Sequence, residues 1–478
     1  MASIAPPITP CAALLALVLV ALPRTATPAC APVAPVACPN CFAVFVMPDT
    51  QSYVYSGHQP KGGAHLDLVT RYICDNRTAW TEPTTGKQMP ILMTIHLGDI
   101  VERGDGGGPD NNDGEWLLAD SAFDNLDSCS PTVPYLVTLG NHDIVSQNYQ
   151  LASDQFETHF GTNRWTSQGY GCTATNDCNW NAGEWFIGGG DAIDANSRNN
   201  IGSGTPGPPT PQAGRHRAAR IEAPNGQPFL FMGLELAFDF PPAPPGFGLV
   251  EGDDSTWPVQ IMNLHHDTAT IVFHHSMLWA FPSPDNRLRW GPETWLSDSI
   301  TQPMGAPDDP NFGTTGGMEA VYQRLVEPFP QALFLFTGHV LRPRRLADYT
   351  IPRTGAPAVS AFMRNYQNLN LPADPSSPFY GAGWNVIAVF DPDAQEVRVR
   401  SYRIDDVDAY AMPPVDFDHT GAPAATECFD TDESGFGERI IPWDFQVSGN
   451  PAPSVSPAGL GALSALLLAG AFRVMARR

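Results

Sequence analysis

Basic residues are scarce in this chain of 478: Lys and Arg number 26 against 50 Asp and Glu, a formal charge of −24. That shortage excludes a broad cationic surface for gripping a nucleic-acid backbone. The acidic excess keeps the chain soluble and offers carboxylates that can hold metal. No repeat period is visible, which excludes a repeat architecture. Long apolar runs are also missing from the body of the chain; two short ones lie at its ends. With 42% hydrophobic residues, the length suffices for one large catalytic domain with appendages, or for two domains.

The end runs have different flanks. Residues 11–22 are apolar and lead into Pro23, Arg24 and small residues as far as Ala29, the composition of an export signal over residues 1–29. No Lys or Arg precedes this run, and a cleavage point near Ala37 is the alternative. Thr27 and Pro35 argue against lipid attachment at Cys30 or Cys38. At the other end, residues 458–472 are apolar, with Pro451, Pro453 and Pro457 before them and Arg473, Arg477 and Arg478 after. Extended through Met475, the run nears the ~17-residue lower limit for a membrane crossing. Residues 455–478 are similar to bacterial C-terminal sorting tags, which implies a surface-sorting enzyme as partner. A tail anchor in the membrane, with the Arg cluster on the cytoplasmic side, is the alternative. The expected location is periplasmic, cell-surface or extracellular.

Nine cysteines fall to eight once Cys11 leaves with the signal, an even number suited to disulfides in an oxidising compartment. Cys172 and Cys178, in a stretch of Gly, Thr and Asn, are the expected bridge. Cys74 and Cys129 sit on helical patterns and fit buried thiols as well as bridges. The connectivity of Cys30, Cys38, Cys41 and Cys428 stays open.

Between residues 42 and 404 strand-like apolar runs alternate with helical stretches, the pattern of an α/β core. The runs are residues 42–47, 91–97, 135–139, 229–234, 269–273 and 332–336. Residues 386–390 and 397–404, joined by Asp391-Pro392-Asp393-Ala394, read as an antiparallel hairpin closing the domain. Glycine- and proline-rich stretches at 104–114, 196–212 and 240–252 read as surface loops, and residues 405–454 as a polar tail.

Five of the six runs end on potential ligands: Asp49, then Gly98-Asp99, Gly140-Asn141-His142-Asp143, His274-His275 and Gly338-His339. Polar groups gathered at the carboxyl ends of strands are how an open α/β sheet builds a site. Taken singly, Asp49 reads as a helix cap and Asp99 as a turn residue; the ordered recurrence is what points to a centre. Hydrolysis of a phosphate ester needs an activated water and positive charge on the phosphoryl oxygens, and one or two divalent ions supply both. Carboxylates with imidazoles suit zinc, manganese or iron, and Asp99 is the natural bridging carboxylate.

The segments Pro48-Asp49-Thr50-Gln51, Gly98-Asp99-Ile100-Val101-Glu102-Arg103-Gly104, Gly140-Asn141-His142-Asp143, His275-Ser276 and Gly338-His339-Val340 resemble, in that order, the calcineurin-like metallophosphoesterase family. The resemblance implies a four-layer fold: two sheets packed as a sandwich and flanked by helices. It implies Asp49 and Asp99 at a first metal, and Asp99, Asn141, His275 and His339 at a second. It further implies His142 as proton donor or charge stabiliser beside the leaving group, with Asp143 orienting its ring. Two departures fall on the first metal: Gln51 stands where the family has His, and so does Leu341. Leu341 cannot bind metal, whereas Gln51 offers a carbonyl oxygen, so manganese, magnesium or calcium suits that poorer site. A bacterial subset of the family shares a similar opening motif.

Arg103 matches a phosphate-contacting position in related protein phosphatases, and Arg342, Arg344 and Arg345 follow the last motif closely; surface ion pairs are the plain alternative. His274 should point away from its neighbour, and His96 should be a packed strand residue. Trp116, Tyr149, Trp165 and Trp185 fit core positions better than a cleft lining. The expectation is therefore a metal-dependent phosphomono- or phosphodiesterase; its rival is a non-catalytic envelope protein whose reduced metal site serves structure or binding.

Overall fold

The structure, a computed structural model, describes residues 34–54, 64–83, 85–102, 113–140, 142–143, 155–156, 158–172, 178–179, 183–189, 216–234, 257–275, 277–278, 322–339, 346–364, 384–404 and 439–442. The six apolar runs are all strands: β2 (Phe42–Met47), β5 (Ile91–His96), β6 (Tyr135–Val137), β9 (Pro228–Gly233), β10 (Ala269–His274) and β11 (Ala332–Thr337). Every residue of β2, β5 and β11 is buried. That is why these strands are unbroken apolar runs: both faces of each are covered, so no polar alternation survives.

A six-stranded sheet sets β2, β5 and β6 parallel and continues from β2 through β14 (Trp384–Asp391) and β15 (Glu396–Arg403), each antiparallel to its neighbour. The expected hairpin is thus present, with Val386 opposite Ser401. A seven-stranded sheet sets β9, β10, β11 and β13 (Ala356–Arg364) parallel; β12 (Leu346–Arg353) is antiparallel to β13 at one edge, and on the other side β8 (Arg217–Glu222) is antiparallel to β9 and β7 (Phe186–Gly189) antiparallel to β8. A small sheet joins β1 (Val36–Ala37), β4 (Lys87–Met89) and β3 (Trp80–Thr81).

The two large sheets face each other across one apolar core. Phe42 stacks on Phe390 of its own sheet at 4.6 Å and meets Phe229 of the other edge-on at 5.0 Å. Alternation sorts the seven-stranded sheet: Phe229, Phe231, Ile271, Phe273, Phe334 and Phe336 enter this shared core. The intervening Leu230, Met232, Val272 and Leu335 pack outward with Val259 and Met262 of the helix Trp257–Leu264. The outer face of the six-stranded sheet takes α2 (Ala64–Asn76) and α3 (Asp113–Asp127), the helices that follow the short α1 (Gln51–Val54). Buried Leu66, Val69 and Ile73 on α2, and Trp116, Ala119, Phe123 and Leu126 on α3, recur at helical spacing, so each helix lays one apolar stripe on the sheet.

The Cys172–Cys178 bridge is formed. Cys74 and Cys129, left open by the sequence, are joined and tie α2 to the end of α3; Cys38 and Cys41 are also joined. Cys30 and Cys428 lie outside the described residues. The stretch read as a polar tail returns one strand to the fold: β16 (Arg439–Pro442) pairs with β15 at the sheet edge, where Ile441 packs on the core. Its four residues carry too short an apolar pattern to be read as a strand. No helix among the described residues is long and apolar enough to cross a membrane. Residues 1–29 and 455–478, read as export signal and anchor, are outside them.

Candidate metal centre

Parallel pairing sets the site. β2 and β5 are neighbours, with Met47 opposite His96, so the turns that follow present Asp49 and Asp99 side by side. β10 and β11 are neighbours in the facing sheet, with His274 opposite Thr337, and the next turns present His275 and His339. Stacking the sheets brings the pairs together. His275 Nε2 lies 3.3 Å from Asp99 Oδ2 and 3.0 Å from His339 Nδ1, and its Nδ1 lies 3.6 Å from Asp49 Oδ1. The His339 backbone N–H donates to Asp49 Oδ2 at 3.0 Å, and the His142 N–H donates to Asp99 Oδ1 at 2.8 Å. Ligand atoms of Asp99, His275 and His339 all fall within 4.8 Å of one another.

The backbone is bent to achieve this. Asp99 (φ 53°) and His339 (φ 69°) occupy the left-handed region that non-glycine residues rarely enter, and such outliers cluster at functional sites. The motif glycines have a steric reason. A Cβ on Gly140 would overlap the Asp99 carboxylate and backbone nitrogen, and one on Gly338 would overlap Asp49 Oδ1.

Burial without a cation leaves the carboxylates poorly matched. Burial pushes the Asp49 carboxyl up to about 8; His275 opposes the shift and Asp99 adds to it. Burial and the Asp99 charge together push Asp143 up to about 8, against the N–H groups of Gly140 and Val101. Asp99 goes the other way: burial would raise it, but His275, His142 and His339 hold it well below the usual carboxylate range. His275 is raised to about 9, because Asp99 and Asp49 overcome its burial. Burial and the neighbouring His275 push His339 well below the ordinary imidazole value, so its ring is neutral, as a ligand must be.

The donor set fits a divalent ion. It combines carboxylate oxygens with imidazole nitrogens, and its Asp99 and His275 are buried. Gln51 adds an independent sign: its Nε2 donates to Glu102 Oε2 at 2.9 Å, while its buried Oε1 has no hydrogen-bond partner. An amide so anchored presents a spare carbonyl oxygen, the one ligand atom that Gln51 offers.

His142 is close by but differs from expectation in its orienting group. Asp143 was expected to orient the ring; instead its carboxylate accepts from the backbone N–H groups of Gly140 (2.8 Å) and Val101 (2.9 Å), tying the two motif turns together. The ring is held by Glu102, whose backbone carbonyl lies 3.2 Å and whose Oε2 lies 3.5 Å from His142 Nδ1. Adjacent residues in a tight turn point different ways, so Asp143 faces the backbone while His142 faces out. Glu102 was legible as a titratable residue in the turn that carries Asp99, yet nothing in its spacing announced its partners.

His96 is packed: Gly98 N–H donates to Nδ1 at 3.1 Å, leaving Nε2–H to donate to Thr50 Oγ1 at 2.8 Å. Burial, with His275 adding, lowers its value to about 3, so it stays neutral. His274 is buried one residue from the centre, and Trp116, Trp165 and Trp185 are core residues. Asn141, Arg103, Arg342, Arg344, Arg345, Leu341 and Tyr149 lie outside the described residues.

Fold and site together define an α/β sandwich with a buried Asp–His cluster at its strand ends. No family model and no curated protein matches the chain. Seven chains of solved structures do. One is the 5'-nucleotidase from Candida albicans SC5314, 13% identical with a TM-score of 0.33, the match covering 80% of this chain and 50% of that one. The chain thus spans half the length of that structure. A likeness this loose says nothing of activity, which the geometry of the site has to carry.

Proposed function

We propose that the protein is a metal-dependent hydrolase of phosphomonoesters or phosphodiesters, with the sandwich read as the four-layer metallophosphoesterase arrangement. The observation that carries this is the convergence of Asp99, His275 and His339 from two facing sheets, with Asp49 and His142 in direct contact with the same group. Asp99, Asn141, His275 and His339 would hold one divalent ion, and Asp49, Asp99 and Gln51 a second. Such ions, when bound, supply an acidified water and positive charge for the phosphoryl oxygens.

The protein's own groups do the rest. His142, fixed by Glu102 at Nδ1, is left with Nε2 to donate a proton to the departing oxygen. Arg103 and Arg342 would bind the phosphate through charge-assisted hydrogen bonds. Asp143 holds the Gly140 turn against the Val101 turn, so His142 and Asp99 keep their spacing. The three disulfides among the described residues fit an exported protein working in an oxidising compartment.

The test is metal analysis of the purified chain, followed by assay of a chromogenic mono- and diester with manganese. Turnover should vanish in Asp99→Ala and collapse in His142→Ala. Metal-loaded protein that turns over neither ester would leave a structural metal site and sink the enzymatic reading.

A further inference from the structure

At the other end of β2 from the metal centre the chain passes through Cys38-Pro39-Asn40-Cys41, a Cys-x-x-Cys segment whose sulfurs are joined. Cys41 precedes the first residue of β2 and Asp49 follows the strand's end, about 20 Å away by strand rise. A bridge with a sequence separation of 3 constrains the unfolded chain far less than the Cys74–Cys129 bridge with its separation of 55. Stapling the fold therefore accounts for the long bridge and poorly for the short one.

The short bridge belongs to the apolar core, yet carboxylates lie against both of its sulfurs. Asp391, 3% exposed at the end of β14, sets Oδ1 3.5 Å from Cys41 Sγ, and that oxygen also accepts from the Ala394 N–H at 3.0 Å. Its Oδ2 is paired with the Lys87 ammonium. Asp393 Oδ2 lies 3.9 Å from Cys38 Sγ, and Asp393 Oδ1 accepts from Asn40 Nδ2 at 3.2 Å. The two sulfurs are unequal: Cys38 keeps 5% exposure beside the exposed Pro39, and Cys41 has none. A sulfur at the margin of the core beside the exposed Pro39, a fully buried one, and a carboxylate at the latter are the parts that thiol exchange uses.

We infer that Cys38–Cys41 is a dithiol–disulfide exchange site for an external dithiol, with Asp391 relaying the proton of Cys41. A thiolate of the dithiol attacks Cys38 Sγ; the Cys38–Cys41 bond breaks, and its electron pair leaves on Cys41 Sγ, which takes a proton from solvent through Asp391. The dithiol's second thiolate then attacks its own sulfur in the mixed disulfide and expels Cys38 as thiolate. The dithiol loses two electrons and the Cys38–Cys41 pair gains two. In reverse, Asp391 removes the Cys41 proton and the resulting thiolate resolves a mixed disulfide at Cys38. Lys87, bound to Asp391 Oδ2, keeps that carboxylate in place with Oδ1 turned to Cys41.

The test uses the full chain, equilibrated with graded dithiothreitol, alkylated and mapped by mass spectrometry. The Cys38–Cys41 bridge should open at about tenfold lower reductant than Cys74–Cys129 and Cys172–Cys178, reversibly and with circular dichroism unchanged. Limiting iodoacetamide should then label Cys38 about tenfold faster than Cys41. Asp391→Asn should slow exchange about tenfold while Asp393→Asn, which leaves the Lys87 pair intact, slows it little. Opening only together with the other two bridges overturns the inference, and that measurement stands on the unmodified chain even if Asp391→Asn does not fold. Zinc capture by the reduced pair that blocks reoxidation would also overturn it, in favour of a thiolate metal site. The outcome is independent of whether the chain hydrolyses phosphate esters.

Discussion

At the scale of single residues, the contacts separate ligands from groups that act through them. Glu102 touches Gln51 and His142, so Glu102→Gln should leave an ion at Asp99, His275 and His339 in place and lower kcat about 10- to 100-fold with little change in KM. Asp99→Ala should remove metal and turnover together. A Glu102→Gln variant that loses metal would contradict the roles given to both. Proton accounting gives a second prediction. With His275 raised to about 9 and Asp49 to about 8, the metal-free protein carries protons at pH 7 that a cation must displace. Metal affinity should therefore rise with pH and level off above about 9, with proton release seen by titration calorimetry in buffers of different ionisation enthalpy. Uptake without proton release would count against this ligand set. Asp49, Asp99, His142, His275 and His339 were legible in the sequence because each directly follows an apolar run. The roles of Asp143 and Glu102 were not, because side-chain direction within a turn is fixed by backbone dihedrals that the spacing does not encode.

At the scale of elements, the strand-end turns are the parts least tolerant of change. Gly338 lets the β11 turn pass against Asp49, so Gly338→Ala should displace that carboxylate and weaken metal binding even if the sheet forms. Unchanged metal content and activity in Gly338→Ala would refute the close approach. The helices make a separate prediction: Cys74–Cys129 ties α2 to the end of α3, and Asn125 also links them by donating to Asp67 and Thr70. Replacing both cysteines by serine should cost about 2 to 4 kcal/mol in chemical denaturation, with metal content unaffected. Strands buried on both faces were easy to read, since nothing but apolar residues fits them. β16 and β7, at sheet edges, and β8 beside β7 were not: they are short or half polar, and the pairing of such strands is decided by their neighbours in the sheet.

At the scale of the whole molecule, the centre sits where the two sheets meet at their open end. Asp49 and Asp99 come from the six-stranded sheet and His275 and His339 from the seven-stranded one, while Phe42 at the other end of β2 closes the core with Phe390 of β14 and Phe229 of β9. A cation bound to both pairs would clamp sheet to sheet in addition to any chemistry. Without it, His275 and backbone N–H groups are what holds Asp49 and Asp99 in place among the described contacts. Metal at about 100 times its dissociation constant should then add about 2.7 kcal/mol to the stability of the folded state. Chelation should lower Tm by a few degrees, and restored manganese should raise it again. Asp99→Asn, which removes the carboxylate charge of the Asp99–His275–His339 group at nearly constant volume, should have a Tm that no longer responds to chelator or metal. If that variant still responds like the unmodified chain, the stabilising ion is bound somewhere other than between the sheets.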